Sequence, residues 1–169
     1  MKNIFFLAVL LCASPILAQD MPMIVLPIKS TDLSSAQQSI AQSKVTAMMC
    51  IAGYLNSATG ALVSIQPELI ELAPQTANSG TPAQATVQAE LVLTVFEDDG
   101  KVVLGTKRKR FSATGKTKQQ ALSQLMLNIR IGDADIQAFL TGLKPQVQAI
   151  YEKNNPPSEA QPAGSTEGH

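Results

Sequence analysis

The sequence predicts an α+β fold: a mostly antiparallel sheet of about four strands, including a long hairpin, with three helices packed on it. Three observations predict it. Val87, Ala89, Leu91, Leu93 and Val95 alternate with Gln88, Glu90 and Thr94, the period of a strand with one buried face. Apolar residues recur at helical spacing from Leu33 to Ala52 and again from Thr117 to Tyr151. The order is strand, helix, strand, paired strands, then helices, which suits a hairpin sheet with helices on one side better than a doubly wound parallel sheet.

The chain opens with MKNIFFLAVLLCASPILA, which reads as an export signal. Lys2 and the amino terminus give a positive start, and Ile4 to Leu11 is an unbroken apolar run. Pro15 ends that run, and Ala18 supplies the small side chain before a cut. Cleavage is expected between Ala18 and Gln19. The run is shorter than the roughly 20 apolar residues a membrane span needs, so no transmembrane segment is expected in the mature chain. A lipid anchor on Cys12 is disfavoured, because Leu11 stands where a small residue is needed. The expected location is outside the cytoplasm: periplasmic, outer-membrane-associated or secreted. Residues 19–153 are expected to form one domain, and 154–169, with few apolar side chains, a disordered tail.

Met23 to Ile28, between Pro22 and Pro27, predicts an edge or first strand. Ser30, Thr31 and Asp32 predict the start of a helix. That helix runs from Leu33 to about Ala52, with Leu33, Ala36, Ile40, Ala47, Met48 and Ile51 on its apolar stripe. Gly53 ends it, and Asn56 to Gly60 predicts a loop. Leu62, Val63 and Ile65 begin a strand stopping near Pro67, with Glu68 to Leu72 extending it past a bulge. Pro74 to Pro82 predicts a surface loop. The Val87–Val95 strand turns at Asp98-Asp99-Gly100, and Lys101 to Ala113 returns. Depending on register, Glu90 faces Arg108 or Lys109. Thr117 to Ile129 predicts a helix, and Gly132 and Asp133 break and recap the chain. Ile136, Phe139, Leu140, Leu143, Val147, Ile150 and Tyr151 draw a seam along a third helix, which Pro145 kinks or splits.

GYLNSATG, LVSIQPELIEL, VQAELVLTVFEDDGK and the segment from FSATGKTKQQ to IYEKN together resemble a group of small exported proteins common in Bacteroidota. The matching pieces are Gly115-Lys116-Thr117-Lys118, Ala121, Ile129 to Asp133, and Ile150-Tyr151-Glu152, within Ala36 to Asn154. More distantly, the layout is similar to the periplasmic α/β domain of curli-type secretion lipoproteins and of cell-wall-synthase activators. That similarity implies a role in binding other envelope proteins. The chain departs from those proteins in lacking a lipidation cysteine, and Pro145 departs from the nearer group.

Composition narrows the chemistry. Thirteen basic and thirteen acidic residues leave no net charge to steer the chain to nucleic acid or membrane. The one histidine is His169, so histidine triads, Cys–His dyads and histidine metal sites have no material in the folded body. Beyond the signal, Cys50 stands alone in AMMCIA and reads as a small buried hydrophobe, with an intermolecular disulfide or reactive thiol as the alternative. No glycine-rich phosphate loop is present. Glu97, Asp98 and Asp99 read as a solvated turn, and Asp133 and Asp135 as a helix start. No cofactor and no catalytic residue is expected, and the chain is expected not to be an enzyme.

One feature resists that bland reading. Between Lys101 and Arg130 lie eight Lys or Arg residues and no acid. Lys107, Arg108, Lys109 and Arg110 are consecutive, and alternation places Lys107 and Lys109 on one face and Arg108 and Arg110 on the other. One pair must therefore lie on the nominal core face. Charges there either guard an edge strand against aggregation or, with Lys116 and Lys118, form an anion- or partner-binding site. The partner expected is an envelope protein or an anionic cell-surface polymer. Nucleic acid is not expected, since no aromatics interleave with the charges. A homo-oligomer through the third helix is a further reading. The function expected is that of an exported adaptor or assembly subunit binding another macromolecule. The alternatives are a small-molecule or glycan-binding protein, a carboxylate-based hydrolase, or an exported enzyme inhibitor.

Overall fold

The computed structural model describes residues 21–72, 84–97 and 102–154. The expected signal and cleavage site, the Pro74–Pro82 loop, the Asp98-Asp99-Gly100 turn and the tail beyond Asn154 lie outside the described residues. The elements in chain order are β1 (Pro22–Val25), α1 (Ser35–Ile51), β2 (Leu55–Asn56), β3 (Val63–Leu72), β4 (Ala85–Glu97), β5 (Val103–Gly115), α2 (Lys118–Asn128), α3 (Ala134–Gly142) and α4 (Lys144–Asn154).

The α+β class holds, but the sheet differs from the expected one. It has five strands, not about four, in the order β2-β1-β3-β4-β5. It is mixed, because β1 pairs parallel with both β2 and β3, while β3, β4 and β5 are antiparallel. The reason is the crossover: α1 carries the chain back between β1 and β3, and a strand–helix–strand unit leaves its strands parallel. β1 is consequently not an edge, since the two-residue β2 lies outside it.

α1 starts later than expected, at a capping box. Ser34 accepts from the Gln37 backbone, and the Gln37 side chain accepts from Ser34 N at 2.9 Å. Its buried residues are Gln37, Ala41, Val45, Met48 and Met49. Ile40 and Ile51, expected inside, are exposed, and so is Cys50. Two apolar stripes compete around this helix, and the Ala41–Val45–Met48 stripe won the core. The helix ends in a paired-bond cap: Gly53 N donates to Cys50 O and Tyr54 N to Met49 O. Gly53 has φ +85°, a left-handed conformation that disfavours a side chain.

β3 runs through Pro67 without the expected bulge. The Pro67 carbonyl accepts from Lys29 N, so its side lacking a donor faces away from β4 and no β3–β4 ladder bond is missing. The register irregularity falls instead between Val95 and Phe96. The core joins Val63, Ile65, Val87, Ala89, Leu91, Leu93 and Val95 of the sheet to helix residues such as Leu122, Leu125, Met126, Ile136 and Leu140.

α2, expected to begin at Thr117, begins one residue later with Thr117 as its cap, and its far end is capped by Lys44, whose Nζ donates to Ile129 O at 2.6 Å. The third predicted helix is split into α3 and α4 at Leu143, one residue before Lys144-Pro145. Its seam packs on the core. Tyr151 of α4 donates to the Pro22 carbonyl and accepts from Leu62 N at 2.8 Å, tying the last helix to the first strands.

Candidate functional site

The basic run lies on β5, and the position of β5 explains how charge is tolerated on both its faces. β5 is the outermost strand, so its side chains lie at the margin of the helical layer. On the helix side, Lys107 stands opposite Leu93 and Lys109 opposite Leu91, followed by Phe111 and Ala113. The run is thus basic where α3 approaches and apolar where α2 covers the strand. Asp133 and Asp135 at the start of α3 meet Lys109 Nζ at 3.4 and 2.5 Å. The hydrogen bond from Lys109 holds the Asp135 carboxyl below its ordinary value, and the Asp135 bond raises Lys109 in turn. Asp133 also caps α3 through Asp135 N and Ile136 N.

On the opposite face, Arg108 and Arg110 converge on one acid. Arg108 Nη1 lies 3.0 Å from Glu90 Oε2, and Arg110 Nε 3.5 Å from Oε1. Arg110, not Arg108 or Lys109, stands directly opposite Glu90, and Arg108 reaches it diagonally. The expected register was off because the irregularity at Val95 shifts the count from the turn. The Glu90 side chain is 12% exposed, while those of Arg108 and Arg110 are 62% and 77% exposed. One mostly buried carboxylate therefore anchors two guanidinium groups whose remaining donors face solvent.

Lys116 and Lys118 lie beyond the end of β5. Lys118 Nζ sits 2.8 Å from Glu71 Oε2 and 3.4 Å from Asp32 Oδ1, joining the start of α2 to β3 and to the segment before α1. Its pKa is raised, chiefly by the Glu71 bond. Asp32 is held low, first by the Thr31 hydroxyl and then by Lys118. Lys107 and Lys116 make no ion pair with a described residue. The six candidate cations thus divide among the helix side of β5, its opposite face and the start of α2, where Lys118 is turned to β3 and away from the β5 edge. Gly115 fixes that last junction, because a Cβ there would stand 2.6 Å from Ala121 N.

Grooves among the described residues lie elsewhere. One, of about 510 Å³, is lined by Lys29, Asp32, Glu68 and Glu71 among others. Another, of about 320 Å³, lies between the exit of β1 and the first turns of α1, where Gln42 bonds the Leu26 carbonyl and Ile28 N. The acids of the first groove include Asp32, whose carboxyl is stabilised as the anion. Among the described residues, no cluster of three or more His, Cys, Asp or Glu is placed to hold a metal, and no helix is long and apolar enough to cross a membrane.

Sequence reasoning missed the acids that answer the basic run. Asp133, Asp135, Asp32 and Glu71 are brought in by tertiary packing, and no local spacing signals it. It also missed the exposed stripe of Ile40, Cys50 and Ile51 on α1.

No family model matches the chain, and no curated protein matches it. Solved structures do resemble it. Protein XCC0632 from Xanthomonas campestris, of family DUF330, is 6% identical, with a TM-score of 0.46 over 79% of this chain and 88% of that one. A minor lipoprotein from Acinetobacter baumannii is 10% identical, with a TM-score of 0.45 over 77% and 94%. Lipoprotein GNA1162 from Neisseria meningitidis is 9% identical, with a TM-score of 0.43 over 77% and 99%. At these scores the likenesses transfer no function to this chain.

Proposed function

We propose that the chain is an exported, non-enzymatic protein of the cell envelope that binds another macromolecule, as an adaptor or assembly subunit. The observation that carries the reading is the β5 margin. Arg108 and Arg110 share a single carboxylate and keep most of their surface in solvent, and Lys107 and Lys116, which make no ion pair with a described residue, add positive charge. Such a margin attracts an anionic surface and does so in a salt-dependent way. The export-signal pattern of the first eighteen residues supports the envelope location. Kinship with small exported proteins of Bacteroidota, on the segments quoted above, is part of the same reading.

The reading is tested by cross-linked capture from the envelope fraction of the source cells. A dominant partner that is lost at high salt supports it. Recovery of the bait alone, under conditions that capture a known envelope complex, overturns it. A ligand-binding or hydrolytic role would be housed in the 510 Å³ groove. A hydrolase of the two-carboxylate kind needs one acid that keeps its proton at neutral pH, and Asp32 is shifted the other way.

A further inference from the structure

β5 is an edge strand of 13 residues, whereas β2, at the opposite edge, has two. An edge strand presents, on alternate residues, N–H and C=O groups that no neighbouring strand takes up. We propose that the β5 edge takes up an acidic, extended segment of a partner protein as a sixth strand. This rests on the macromolecule-binding reading above and adds to it the place, the mode and the chemistry of the partner.

Charge selects the occupant. A second copy docking through β5 would lay Lys107 to Arg110 against the same run, and like charges directly opposite destabilise a pair. Any basic strand meets the same obstacle. An acidic strand does not, so the charges that block self-association choose the partner. Arg108 and Arg110 lie on one face, two residues apart, with exposed guanidinium groups held in place by Glu90. Acids at positions i and i+2 of an incoming strand would fall beside both. Lys107, on the other face, is available to an acid of the opposite parity. Lys109 is not, being held by Asp133 and Asp135.

Asn128 Nδ2 of α2 already donates to the Ser112 carbonyl at 2.8 Å and closes that end of the edge, so the added strand would lie along Thr106 to Arg110. Thr106, Ser112 and Thr114 continue the face of Arg108 and Arg110 as exposed hydroxyls, and Thr86 and Thr114 already pair across β4 and β5 at 3.3 Å. Val103, exposed at the start of β5 on that face, offers an apolar contact. Main-chain hydrogen bonds would then supply the mode of binding and the alternating acids its selectivity. An anionic polysaccharide or lipid head group could satisfy the arginines but has no backbone ladder to add.

The test uses the full chain from Gln19 and three synthetic peptides of alternating Glu and Thr with a terminal Val. One is unmodified. The other two carry N-methyl groups on alternate residues, one set in each phase. Binding is followed by amide NMR titration at low salt. An added strand turns only one phase of its amides towards β5. The unmodified peptide should shift β5 resonances, one N-methylated phase should bind as the parent does, and the other should bind at least about tenfold more weakly. The double variant Arg108→Glu/Arg110→Glu should weaken the parent peptide by at least about tenfold as well. If both methylated phases bind like the parent, attraction is by charge alone and strand addition is wrong. Absence of any β5 shift at millimolar peptide also overturns it. The wider reading is judged separately: capture of a salt-sensitive envelope partner despite those peptide results would leave macromolecule binding standing and remove only the strand.

Discussion

Tyr54 gives the sharpest test of the packing described here. Its ring is 4% exposed, and its hydroxyl donates to the Leu140 carbonyl at 2.8 Å, linking the end of α1 to α3. Burial raises its pKa from 10.0 to about 12. The charged form is disfavoured in the folded state, so the unfolded chain loses this proton first. The resulting stability is fully present below the unfolded pKa of 10.0 and is lost as pH rises towards the folded value of about 12. One pKa unit corresponds to about 1.4 kcal/mol, so the loss reaches about 1.4 kcal/mol by about pH 11 and about 2.7 kcal/mol beyond about pH 12. Lysines also titrate in this range, so the comparison must be differential. Urea unfolding at about pH 8 and about pH 11, for wild type and Tyr54→Phe, isolates the tyrosine. At about pH 8 the variant should be less stable by about 0.5–1.5 kcal/mol, the net value of the lost hydrogen bond. That gap should close or reverse by about pH 11. An unchanged gap at both pH values would refute the reasoning, because Tyr54 would then titrate alike folded and unfolded.

Other outcomes follow from single contacts. Gly115→Ala should destabilise by about 1–3 kcal/mol in urea unfolding, since the new Cβ meets backbone of α2 and not a movable side chain. A neutral result would mean that the β5–α2 junction is looser than described. Ser34→Ala should lower stability by about 0.5–2 kcal/mol through loss of the capping box, and Ser34→Thr should retain most of it. Cys50 should react with a maleimide in the native chain about as fast as in urea. Strong native protection would return it to the core, where its sequence context had placed it.

The legibility of this chain follows the range of the interactions. Val87 to Val95 announced β4 because alternation is local, and Thr117, Asp133 and Pro145 announced helix limits for the same reason. The parallel placement of β1 was hidden, because four residues carry no mark of their neighbour and α1 alone sets their direction. α1 misled through its composition: AMMCIA is apolar all round, so periodicity could not choose between the Ile40 stripe and the Ala41 stripe. The consecutive cations of β5 were plain, and so was the need for one pair to face inward. What the sequence did not carry was the answer of α3, whose Asp133 and Asp135 lie more than twenty residues further on and meet Lys109 only in the folded chain.

The central claim is that the β5 margin recruits an anionic partner. The most direct measurement captures partners from the envelope fraction with wild type and Arg108→Glu/Arg110→Glu side by side, at low and high salt. The variant sets two glutamates beside the mostly buried Glu90 and costs stability, so its fold is checked by circular dichroism and thermal unfolding, and Arg108→Gln/Arg110→Gln, which adds no like charge, is run beside it. The account predicts one dominant partner with wild type at low salt, and its loss both at high salt and in the folded variant. Equal capture by wild type and variant would contradict it and leave the basic run as a guard against edge-to-edge aggregation.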